Sequence, residues 1–131
     1  MRTTYHKNTE KSGVRLLLLL ENHLREILKR EEENRTLIHL YCTEPYWVAF
    51  EKSAYLLRQV FPDSKVIPMR LIMYPFPIVL VSVTEEVLFR NRRHLFLREN
   101  DDYGRLCVPS RSLAGYRKWH EKEVEGLTQY L

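Results

Sequence analysis

The densest run of chemically capable side chains is Arg90-Asn91-Arg92-Arg93-His94, with Arg98 close behind and no acid between Arg90 and Arg98. Neighbouring guanidiniums neutralise phosphates or grip a carboxylate through two parallel hydrogen bonds. Arg90, Arg92, Arg93, His94 and Arg98 are therefore the candidate anion- or nucleic-acid-binding residues. The bland alternative is a solvated basic turn that keeps a sheet edge from aggregating. Arg105, Arg111, Arg117, Lys118 and Lys122, with Tyr103 and Trp119 nearby, would extend a basic surface on which single-stranded bases stack. Glu121, Glu123 and Glu125 interrupt it.

Catalytic templates fare worse. The histidines and tyrosines from which a site could be assembled are His39, His94, His120, Tyr41 and Tyr74. His39 and Cys42 differ in parity along a strand, so they point to opposite faces and cannot form one nucleophilic or metal site. His120 falls on the apolar face of the last helix without the second histidine that a zinc helix needs. Cys42 and Cys107 sit in apolar, strand-like segments and form no Cys-x-x-Cys pair, so no metal site is expected. Only four glycines occur, and none builds a phosphate-cradling loop. No cofactor is expected, and the chain reads as more a binder than an enzyme.

Around these residues the hydrophobic pattern predicts an α+β fold with about five strands, mostly antiparallel, and about three main helices. The centre is Ser64 to Thr84. Its second half is rich in β-branched residues, and Pro75 and Pro77 mark a turn between two strands. Residues 1–11 carry no periodicity and are expected to form a flexible arm ahead of a single domain over 12–131. A helix over Ser12 to Glu33 carries a stripe of Leu17, Leu20, Leu24, Ile27 and Leu28. Leu18 and Leu19 lie outside that stripe, which makes them the candidate self-association residues. The acids Glu31 to Glu33 are read as its fraying end.

Thr36 to Cys42 reads as a strand. Thr43-Glu44-Pro45 looks like a helix start, with Trp47, Phe50, Ala54, Leu57 and Phe61 recurring on one face of the helix that follows. Such a strand–helix–strand crossover could make the sheet partly parallel. Thr84-Glu85-Glu86 caps a short helix, with a hairpin turning at Asn91-Arg92 as the alternative. Two short strands then flank a turn at Asn100 to Gly104, and a last helix is expected from Ser110 or Ser112 to about Tyr130.

A chain of 131 residues can bury one core, and its formal net charge of +4 is only mildly basic. The short Leu16 to Leu20 run ends at Glu21 with no cleavage site, and no apolar span reaches bilayer length, so a cytoplasmic protein without membrane contact is expected. The leading expectation is a non-catalytic binding or adaptor module, a homo-oligomer or the partner of another protein. The alternatives are a nucleic-acid-binding protein using the 90–98 cluster, and an enzyme built from the scattered histidines and tyrosines.

Overall fold

The computed structural model describes residues 12–90, 96–108 and 112–127. The expected N-terminal arm and the Asn91-Arg92 turn lie outside the described residues. The order is α1 (Ser12–Glu32), β1 (Leu37–Cys42), β2 (Tyr46–Phe50), α2 (Glu51–Val60), β3 (Lys65–Met69), β4 (Ile78–Thr84), α3 (Glu85–Arg90), β5 (Phe96–Arg98), β6 (Tyr103–Cys107) and α4 (Tyr116–Val124). The fold is α+β, with one six-stranded sheet in the order β3-β4-β2-β1-β6-β5 and every neighbouring pair antiparallel.

Alternate residues of each inner strand face opposite layers. Ile38, Leu40, Trp47, Ala49, Val81 and Val83 meet α2, α3 and α4 on one side. Tyr41, Val48, Phe50, Ile78 and Leu80 meet α1 on the other. Both faces of β2 and β4 are thus covered, which is why these strands read as unbroken apolar runs.

Three expectations are corrected. The helix expected from Thr43 begins only at Glu51, because Tyr46–Phe50 is a strand pairing with β1 and β4. Trp47 and Phe50 do fall at helical spacing from Ala54 and Leu57. Val48 and Ala49 between them are equally buried, however, and that marks a central strand. The crossover from β2 through α2 steps over β4 to β3, so the parallel strands β2 and β3 never touch. The last helix is shorter than expected, starting after Gly115, whose φ of 89° suits glycine, and ending at Val124. Thr84 caps α3 as its sequence suggests, its Oγ1 accepting the Val87 N–H at 3.2 Å.

Pro68 belongs in β3 because β3 is an edge. The Val79 N–H donates to Glu51 Oε1 at 2.8 Å, so this backbone position of β4 faces β2. Its β3 partner Pro68 therefore turns its donor-less nitrogen to the free edge, where no sheet hydrogen bond is lost.

Candidate functional site: the groove between the first helix and the β3–β4 loop

After Met69 the chain leaves the sheet and returns only at Ile78. Pro75 and Pro77 cannot donate to a ladder, and the Tyr74 N–H closes a turn onto the Leu71 carbonyl at 3.2 Å. Leu71 is buried and Tyr74 half-buried against Phe76, but the tip stands in solvent: Ile72 is 80% exposed, Met73 58% and Phe76 65%. Met73, Tyr74 and Pro75 form one wall of a groove of about 920 Å³ whose other wall is α1, with Leu20, Leu24 and Leu28 at its base. Glu21, Arg25, Glu26, Lys29 and Glu32 supply both signs of charge to it.

The groove runs into a smaller polar cleft of about 280 Å³, sharing Leu28, Glu32 and Tyr74 with it and adding Glu31, Glu51, Lys52 and Tyr116. Four elements meet here: the end of α1, the start of α2, the loop, and α4. Glu51 has a φ of 52°, uncommon for a residue with a Cβ. Its Oε1 accepts both the Val79 N–H and, at 2.9 Å, the His120 Nε2–H, fastening α4 to the body. Tyr116 packs edge-on to His120, and burial with Glu51 nearby pushes its phenol pKa up.

Behind the cleft lies Glu31, 3% exposed. Phe50 cannot cap α2, and Glu31 does so from α1 instead. Its Oε1 accepts the Ser53 N–H at 2.8 Å and an Asn34 Nδ2–H at 3.2 Å, while its Oε2 lies 2.5 Å from the Ser53 hydroxyl. Burial, against these hydrogen bonds, raises its pKa to about 7. Glu31 is not a fraying end. It continues the buried line Leu20, Leu24, Ile27 at helical spacing, and an acid on a buried stripe was the available signal for it.

Of the histidine and tyrosine pool, Tyr74 lines the cleft, and His120 lies behind it, bonded to the lining residue Glu51. His39 and Tyr41 lie apart, on the α1 face of β1. There the Arg30 guanidinium donates to Tyr41 Oη at 2.7 Å and stacks over the Tyr103 ring. Burial, with Arg30 and Arg105 nearby, lowers the His39 pKa to about 4, and the neutral ring shares a hydrogen bond of 2.7 Å between its Nδ1 and the Tyr103 hydroxyl. His94 is outside the described residues.

The basic cluster is only partly in view. Arg90 is exposed at the end of α3, and Arg92, Arg93 and His94 are outside the described residues. Arg98 is engaged within the chain, donating to the Asn100 and Asp101 carbonyls and lying over the Trp47 ring. On α1, Leu18 is 50% exposed beside Leu17 and Val14, whereas Leu19 packs against the core. Leu17, expected in the buried stripe, is solvent-facing, because the contact line runs through Leu20, Leu24, Ile27 and Glu31. Among the described residues no group of three metal-ligating side chains is poised to hold an ion, and no helix is long and apolar enough to cross a membrane.

Family models, curated proteins and solved structures contain no match to this chain.

Proposed function

We propose that this chain is a non-catalytic binding module that self-associates, with each copy seating its Ile72-Met73-Phe76 tip in the α1 groove of the other. The observation that carries this reading is the exposed apolar tip standing beside a groove with a leucine base. Contiguous exposed apolar side chains in a soluble domain mark interaction sites. A second copy is the occupant because one surface carries both the projection and the recess, as a twofold interface requires. The groove's mixed-sign charges set up no like-charge barrier between copies.

A stable interface buries about 800 Å² per partner, beyond the reach of Val14, Leu17 and Leu18 alone. The edge strands offer no alternative route, since Pro68 interrupts β3 and β5 has three residues. Sedimentation velocity from low micromolar to submillimolar concentration tests the reading. A monomer–dimer equilibrium abolished by Phe76→Asp supports it, and a monomer throughout refutes it.

A second reading, an acid–base enzyme, is favoured by the Glu51–His120 pair, both side chains 18% exposed, with Glu51 lining the polar cleft. Wild type and His120→Gln can be compared on chromogenic ester, phosphate and glycoside substrates. Turnover lost in the variant would support an enzyme. No turnover in wild type would leave the pair as the fastening of α4.

A further inference from the structure

We propose that the cleft between α1 and the β5–β6 turn binds a free α-amino acid, its carboxylate on Arg30 and its ammonium at Glu26. The cleft encloses about 420 Å³, within the range of small-molecule sites. It lies on the other flank of α1 from the leucine-based groove, and of the residues lining the two only Glu26 borders both. The inference therefore stands apart from self-association.

Two side chains of α1 carry it. Arg30 follows Glu26 at i+4, the spacing and order that favour a direct ion pair along a helix. No such pair forms, and no acid among the described residues comes within ion-pair distance of Arg30. Glu26 Oε1 instead accepts from His23 Nδ1–H at 3.0 Å, while Arg30 Nη1 donates to the Tyr41 hydroxyl at 2.7 Å. The Tyr103 ring centroid, 4.7 Å from the guanidinium carbon, gives Arg30 a second hold. Only one nitrogen of the fork is used in this way; the others have no acceptor among the described residues, and Arg30 lines the cleft. A guanidinium seated against an aromatic ring with donors to spare matches a planar carboxylate.

The surrounding charges select the ligand. Glu26 and Asp101 line the cleft with Arg30, and the third acid there, Asp102, lies 3.5 Å from Arg15. His39, behind Tyr103, is neutral near pH 7. A simple carboxylate or phosphate would meet the acids, and a simple amine would meet Arg30. A molecule carrying both charges close together satisfies both jaws. Leu19, Ile27 and the tyrosine rings supply apolar walls, which suit a large apolar side chain. The opposite wall is fixed in advance: Arg98 donates to the Asn100 and Asp101 carbonyls, and the Asp102 N–H to Asn100 Oδ1 at 2.7 Å.

Titration of the ¹⁵N-labelled full chain with L-phenylalanine, followed by NMR at the Arg30 Nε–H and the Tyr103 amide, tests the site. Saturable shifts at both, with a dissociation constant of about 1 mM or below, are expected. Phenethylamine and N-acetyl-L-phenylalanine, each carrying one of the two charges, should bind several-fold more weakly. Arg30→Gln should lose about tenfold or more in affinity, since it removes the charged fork. Glu26→Gln should lose less, a few-fold, because that carboxylate is 73% exposed and screened by water. The same exposure means that the Glu26 variant keeps the fold and decides the matter even where Arg30→Gln is unstable. Absence of a saturable shift up to about 10 mM phenylalanine overturns the proposal. So does equal binding by either single-charge analogue or by Glu26→Gln. Saturable shifts that bypass Arg30 and Tyr103 place the ligand elsewhere and overturn it as well.

Discussion

Glu31 and His39 are buried ionisable groups whose effects on stability oppose each other. Glu31 has a folded pKa near 7, above its ordinary value of 4.5, so its contribution is full below about pH 4.5 and is lost as pH rises to 7. His39 is lowered from 6.5 to about 4, so its contribution is present above 6.5 and is lost as pH falls to 4. Each shift corresponds to roughly 3 kcal/mol, and between pH 4.5 and 6.5 they largely cancel. Relative to wild type, Glu31→Gln should make the melting temperature fall more steeply on acidification. His39→Gln, which keeps a hydrogen-bonding group for the Tyr103 hydroxyl, should make it fall less or rise. Parallel melting curves against pH for all three proteins would contradict the assignment. Arg98, singled out for its charge, turned out to hold the β5–β6 turn. Only its place in a hairpin shows that, and composition cannot supply it.

At the scale of elements, most of the architecture was readable, and the failures share one cause. α1, β1, β4, α3 and the 96–107 hairpin emerge from periodicity and capping residues close to where they lie. β2 did not, because Trp47 and Phe50 satisfy the helical spacing of Ala54 and Leu57 by coincidence. Periodicity cannot separate a doubly buried strand from a helix entry when both are apolar. The α1 register failed more mildly. Its spacing defines a stripe, but which flank the sheet covers depends on where β6 and its preceding loop lie. Hence Leu18→Asp should cost under about 0.5 kcal/mol as a surface change. Leu19→Asp, charged against Tyr41 and Tyr103, should cost several times more by chemical denaturation. A similar steric test applies to β5. A Cβ at Gly104 would lie 2.5 Å from the Phe96 ring, which packs edge-on to Trp47. Gly104→Ala should destabilise by about 1–3 kcal/mol, and an unchanged denaturation midpoint would show that Phe96 moves aside freely.

For the whole molecule, the most exposed apolar side chains outside the core, Ile72 and Phe76 with Met73 beside them, stand together on the β3–β4 loop. The hydrophobic centre was visible in the sequence, but Ile72 and Met73 read as strand residues. Their exposure follows from β3 ending at Met69, before the two prolines. Phe76→Asp should therefore separate copies without moving the melting temperature of the monomer, whereas a large drop would place Phe76 in the core. The edge position of Pro68 has a different outcome at high concentration. A chain whose outermost strand lacks a donor can form closed pairs but is a poor template for endless strand addition, so assemblies should stay finite and the solution clear. Pro68→Val restores the outward N–H and adds a β-branched side chain. That variant should keep the native fold yet seed thioflavin-positive fibrils from concentrated stocks in which the wild-type protein stays in solution.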